Sequence, residues 1–152
     1  MLGIWWRGFM KRSKKGGEVR NRKGRFLLAP DTPFNYSRLY VDVFSVAASL
    51  SSPEELFRSA AEAGLDAIFV IDAWHESHMP LARRYLDLCR RYMLDCRLSE
   101  HKPAEIFAVE LCEAECDGKC AVVTRDYDAV VHVDRCAVLI FRQGRFWRAA
   151  LR

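Results

Sequence analysis

Several signals that would place this chain in a common enzyme class are missing from its 152 residues. There is no G-x-G-x-x-G fingerprint, no Walker-type phosphate loop and no G-x-S-x-G elbow, which excludes the usual dinucleotide, P-loop and serine-hydrolase sites. No apolar run approaches the length of a bilayer span. The opening MLGIWWRGFM is broken by Arg7 and Gly8 and offers no small-residue cleavage site. Neither export nor a membrane partner is therefore expected, and a cytoplasmic location is. A transit peptide stays open, because no acid precedes Glu18.

The C-x2-C pair typical of zinc sites is absent as well. The six cysteines are Cys89, Cys96, Cys112, Cys116, Cys120 and Cys136, and CEAECDGKC spaces three of them as C-x3-C-x3-C. A fourth ligand would have to come from far away, so structural, reduced thiols are expected, with disulfides only in a hyperthermophile-type cytosol. His75 and His78 in DAWHESH are three residues apart, not at the i, i+4 spacing of a metalloprotease helix. They read as surface groups near bound RNA.

Acid is also scarce at one end. Residues 1–30 hold nine Lys/Arg against Glu18 alone, a net of +8, whereas the remaining 122 residues carry a net of −4. Residues 1–36 contain Gly16-Gly17, scattered cations and APDTPFN, a composition expected of an arm outside the core. The cations Arg7, Lys11, Arg12, Lys14, Lys15, Arg20, Arg22, Lys23 and Arg25 are interleaved with Trp5, Trp6, Phe9 and Phe26. Rings that stack on unpaired bases, beside cations that neutralise phosphates, suit single-stranded or folded RNA. The arm, with Trp5 and Trp6 included, is thus the expected RNA-binding element.

Residues 37–152 alternate strand and helix. LYVDVFSV (39–46) reads as a buried strand with Asp42 in its middle. SSPEELFRSAAEAG is a helix with Ser52 and Glu55 as a capping box and Gly64 as its stop. DAIFVIDA (66–73) is a second strand, finishing on Asp72. MPLARRYLDLCRRYM is an amphipathic helix with Leu81, Tyr85, Leu88, Cys89 and Tyr92 on one side. A short strand follows near 94–98, then a helix over 102–116, a fourth strand in KCAVVTRD, and a terminal hairpin turning at Gln143-Gly144. The fold expected is three-layer α/β/α, with a mainly parallel central sheet and a C-terminal hairpin.

Ligands of open α/β sheets bind beyond the carboxyl ends of the strands, where strand order reverses. Asp42, Asp72 and Asp126 fall at or near such ends. If the first strand lies between the second and fourth, the three converge, and a divalent cation would relieve their repulsion.

The ordered set VDVFSV, VIDAW, AEIFAVEL and VVTRDYD resembles the PIN domain superfamily, and its NYN-type relatives in particular, over residues 38–142. The resemblance matches Asp42 to the acid ending the first strand and Asp72 to the acid ending the next. It matches Glu105 to the acid opening a later helix, and Thr124 with Asp126 to the "T-x-D" element, with Asp128 as an auxiliary. It implies a ribonuclease fold in which Asp42, Asp72, Glu105 and Asp126 hold one or two Mg²⁺ or Mn²⁺ ions for cleavage of RNA. Glu105 stands where Asp is more usual, and Val43, Phe44, Ser45 and Val46 follow Asp42 where a polar group is more usual. The alternative is a non-catalytic ribosome- or RNP-associated protein that keeps the fold as a scaffold and binds rRNA through its basic arm.

Overall fold

The computed structural model describes Trp6 and residues 16–152. Eight strands form one sheet in the order β1-β2-β8-β7-β6-β3-β4-β5. Strands β3 (Arg38–Asp42), β4 (Ala67–Asp72), β5 (Asp95–Ser99), β6 (Cys120–Thr124) and β7 (Ala137–Arg142) run parallel to one another. All of β4 and β6 is buried, so their unbroken apolar runs are what a sheet covered on both faces requires. Helices α1 (Val43–Ala47), α2 (Pro53–Ala63) and α3 (Met79–Arg91) cover one face, around Val46, Phe57, Phe69 and Tyr85. Helices α4 (Ala104–Glu115) and α5 (Asp128–His132) cover the other, around Tyr40, Val70, Ala108 and Val130. The expected three-layer α/β/α class is the observed one.

The terminal hairpin is also as expected. Strand β7 turns into β8 (Arg145–Leu151) at Gln143 and Gly144, whose φ angles are 52° and 73°. Two successive left-handed residues make the tight turn that suits the twist of paired strands.

Other expectations are corrected. The first strand stops at Asp42, and residues 43–47 form α1. Val43, Val46 and Ala47 are buried at helical spacing, a short apolar pattern that hydrophobicity alone does not separate from a strand. Asp42 thus sits at the end of its strand rather than in the middle. Helix α2 has Ser52 as its N-cap without a side-chain cap bond, and Glu55 pairs with Arg58, so the capping box does not form. Leu81 is 42% exposed, and Ala82 takes its place among the buried residues of α3.

Part of the stretch read as an arm outside the core is built into the sheet. Strands β1 (Gly17–Asn21) and β2 (Gly24–Asp31) form a hairpin that extends the sheet along β8. Phe26 and Leu28 point into the core while Leu27 faces out, the two-residue alternation of a strand with one covered face. The hairpin thereby covers the edge that β8 would otherwise expose.

Four of the six cysteines are paired, Cys112 with Cys136 and Cys116 with Cys120, whereas Cys89 and Cys96 are free. This corrects the expectation of reduced thiols throughout. The Cys112–Cys136 bond ties α4 to the start of β7 across 24 residues of chain, a loop for which cross-linking contributes about 3 kcal/mol. Cys136→Ser is accordingly expected to lower the urea midpoint by that amount of stability, with the slope of the transition reporting any change in the unfolded state. Among the described residues, no helix is long and apolar enough to cross a membrane.

Candidate metal centre

Strand β3 lies between β4 and β6, and the helices that follow β3 and β6 cover opposite faces of the sheet. The crevice at such a reversal is open at the carboxyl ends of the strands. Here β3 ends on Asp42, β4 ends on Asp72, and Asp126 follows two residues after β6. Glu105 is in the first turn of α4. The side chains of Asp42, Asp72, Glu105 and Asp126 line one cleft of about 400 Å³, together with Lys23, Ser45 and Arg125.

Asp42 is the deepest of the acids, only 2% exposed. Burial pushes its pKa up to about 7; the Thr124 hydrogen bond opposes this, and the charges of Glu105 and Asp72 add to it. Thr124 Oγ1 donates to Asp42 Oδ2 at 2.8 Å and accepts from the Asp126 amide at 3.0 Å. One hydroxyl therefore fixes the deepest carboxylate and the loop that carries the next.

Asp72 is held differently. Its Oδ1 accepts from the Ala104 amide and from Trp74 Nε1, both at 2.9 Å. It anchors the first turn of α4, and so places Glu105, while lining the cleft. Burial raises the pKa of Glu105, and the nearby carboxylates of Asp126 and Asp72 push the same way. For Asp126, burial works upward, but the Asp128 amide and the Lys23 ammonium outweigh it and hold the carboxyl below its ordinary range. Of this pair, Glu105 thus holds its proton the more tightly.

Carboxylate oxygens of Glu105, Asp126 and Asp128 lie within 4.8 Å of one another. The structure therefore brings all four expected acids to one cleft, with the tightest grouping formed by Glu105, Asp126 and the auxiliary Asp128. An all-oxygen donor set of this kind suits Mg²⁺ or Mn²⁺ rather than softer metals.

Two participants had no role at the acidic centre in the sequence reading. Ser45 Oγ accepts from the Arg125 amide at 2.8 Å, which ties α1 to the Asp126 loop. The only sequence signal for Ser45 was a hydroxyl inside an apolar run. Lys23, expected to meet RNA, instead places its ammonium 2.9 Å from Asp126 Oδ1 and 2.7 Å from Asp128 Oδ2.

The remaining nucleic-acid expectations divide. Trp6 is fully buried, stacked 5.9 Å from Phe146, with its Nε1 donating to the Leu56 carbonyl at 3.4 Å. Phe26 is likewise fully buried and 4.8 Å from Tyr127. Neither ring is free to stack on a base, which corrects the reading of Trp6. Arg20, Arg22 and Arg25 are exposed on the β1–β2 hairpin, with Arg25 4.0 Å from Glu18. Trp5, Arg7, Lys11, Arg12, Lys14 and Lys15 lie outside the described residues. His75 and His78 occupy one turn after β4, where each Nδ1 accepts a backbone N–H, at 3.1 and 3.3 Å respectively.

Fold and cleft together define an α/β/α protein with an acidic centre at the switch point of a mainly parallel sheet. No protein-family model matches the chain, and no curated protein matches it. Among solved structures it is similar to a product complex of the bacteriophage T5 flap endonuclease with DNA and metal ions, at 12% identity and a TM-score of 0.44. That similarity covers 72% of this chain, which spans 57% of the endonuclease structure.

Proposed function

We propose that this protein is a PIN/NYN-like, divalent-metal-dependent ribonuclease that cleaves single-stranded RNA. One observation carries the reading. Asp42, Asp72, Glu105 and Asp126, scattered over 84 positions, converge on one cleft in which the deepest carboxyl is pushed up to about 7. Clustered carboxylates in so dry a place repel one another, and a divalent cation removes the conflict better than protonation does at neutral pH.

In this reading Asp42, Glu105 and Asp126 hold Mg²⁺ or Mn²⁺, with Asp72 supporting from the base of α4. When bound, such an ion lowers the pKa of its water and stabilises the charge that develops on a phosphodiester. The chain's own contribution is orientation. Thr124 fixes Asp42, Ser45 fixes the Asp126 loop, and Arg125 offers a phosphate contact at the cleft's edge. Arg125 is exposed and has no ion-pair partner among the described residues. Arg20 and Arg22 offer an exposed basic surface to RNA, and the cations at positions 7–15 add to the positive charge of this end of the sequence.

The cation pairs made by Lys23 favour a second reading: a non-catalytic scaffold whose outer acids are already neutralised internally and which binds rRNA in a ribosome or other RNP through its basic N-terminal residues 1–30. A cytoplasmic location belongs to both readings, in a cytosol that tolerates two disulfides.

The test is cleavage of a labelled single-stranded RNA with Mn²⁺ or with EDTA. The proposal expects Mn²⁺-dependent products that disappear in Asp126→Asn. Undiminished cleavage in that variant removes the assignment. Absence of cleavage, together with salt-sensitive co-sedimentation with ribosomal subunits that is lost when Lys11, Arg12, Lys14 and Lys15 are changed to Gln, favours the scaffold.

A further inference from the structure

The Lys23 ammonium is a cation already seated in the acidic centre, and its position is built rather than incidental. It comes from the turn of the β1–β2 hairpin, where Asn21 pairs with Gly24 across two residues. Asn21 Oδ1 accepts the Lys23 amide at 2.8 Å, and Gly24 supplies the φ of 139° that closes the turn. The hairpin is held from outside by Arg152 Nη1, 2.8 Å from Glu18, and by the six-residue pairing of β2 with β8. From inside, the Phe26 ring packs on Tyr127, which lies between the two acids that Lys23 contacts. Both ends of the ion pair are thus fixed to the same sheet.

The acids fall into two levels. Asp42 lies deep and is not reached by Lys23, whereas Asp126 and Asp128 are bridged by it near the mouth. A metal ion taking the bridged oxygens at the ~2.1 Å of an Mg²⁺–oxygen bond would press against the ammonium. The two cannot share those oxygens.

We infer that Lys23 takes the place of a second divalent cation, so that the centre admits only one ion, on its Asp42 side. This rests on the metal-dependent reading above and deepens it: the number of ions is set by a residue of the added hairpin. The ammonium occupies Asp126 Oδ1 and Asp128 Oδ2 at the outer edge and leaves the Asp42 side for the ion. Lys23 is therefore a residue that sets the composition of the site.

The experiment is Mn²⁺ titration of the full chain by calorimetry, with bound manganese counted independently by electron paramagnetic resonance. Wild type is expected to bind one ion per chain, Lys23→Met two, and Lys23→Arg one, because a guanidinium restores the blocking charge. Melting curves check that the exposed turn tolerates both changes. Equal, non-zero stoichiometry in wild type and Lys23→Met overturns the inference and leaves the metal-dependent reading standing. No binding by either protein removes that reading and the inference with it. Two ions in Lys23→Arg as well would mean that cationic blocking is not the cause, which also overturns it.

Discussion

Asp42→Asn is expected to make the metal-free protein more stable and the metal-loaded protein inactive. In the native state Asp42 is 2% exposed and its carboxyl titrates at about 7, against an ordinary value of 3.8. Holding it ionised at pH 8 therefore costs the fold about 4 kcal/mol. Asparagine has nearly the same shape and carries no charge. Its carbonyl still accepts from Thr124 Oγ1, which now donates to Asp42 at 2.8 Å. Its amide brings a new N–H in need of an acceptor, a penalty of about 1–3 kcal/mol. The net expectation is a gain of about 2 kcal/mol and a rise in Tm of roughly 4–8 °C at pH 8 without metal. RNA cleavage should fall on the order of 10²–10³-fold, the size of loss caused by removing one charge-stabilising group from an active site. A structural acid behaves in the opposite way, since its removal lowers Tm and leaves metal dependence intact. A less stable Asp42→Asn protein with full cleavage would therefore sink the metal assignment.

That contrast also indicates why the site could be read in the sequence at all. An apolar run that stops on a carboxylate, as AIFVID does at Asp72, breaks the rule by which buried strands are composed, and such breaks concentrate where function is placed. Asp126 was reachable through its place just past a strand end, and Glu105 only through the resemblance to the PIN domain superfamily. The terminal hairpin was reachable because Gln143-Gly144 leaves few alternatives for a turn.

What escaped was whatever depended on distant partners. Phe26-Leu27-Leu28 carries strand alternation, but only pairing with β8, more than a hundred residues later, makes a strand of it. The cations around it dominated the local pattern. Trp6 was taken for an RNA contact on the same grounds, although a tryptophan amid charge can equally be the anchor that returns to the core. Lys23 meets Asp126 across 103 positions, and no local pattern encodes that. One disulfide escaped for a similar reason: the spacing of Cys112, Cys116 and Cys120 suggested a unit, whereas Cys112 pairs with Cys136, 24 residues on and just before β7.

The pH dependence of stability offers a second large effect, and its sign separates a metal centre from an ordinary acidic surface. A carboxyl whose pKa is higher in the folded state than in the unfolded state binds its proton more tightly when folded. Its stabilising contribution is present below the unfolded value and is lost as pH rises through the folded one. For Asp42 the window runs from 3.8 to about 7. Between pH 5 and pH 8 the metal-free protein should lose about 2–3 kcal/mol from this group. Glu105, also raised chiefly by burial, acts with the same sign. Asp126 is shifted downward, so its contribution is lost only as pH falls below the usual carboxylate range, outside this interval. Metal-free protein in EDTA is therefore expected to melt higher at pH 5 than at pH 8. Saturating Mn²⁺ should cancel or reverse that slope, because the ion stabilises the ionised acids and competes with protons for them; at 100 times its Kd it adds about 2.7 kcal/mol. Asp42→Asn should flatten the metal-free slope without any ion present. Melting curves at the two pH values, for both proteins, with and without Mn²⁺, measure all of this. A metal-free wild type that becomes more stable as pH rises from 5 to 8 would mean that the Asp42 carboxyl is satisfied by its protein neighbours, and that the cleft has no vacancy of charge for a cation to fill.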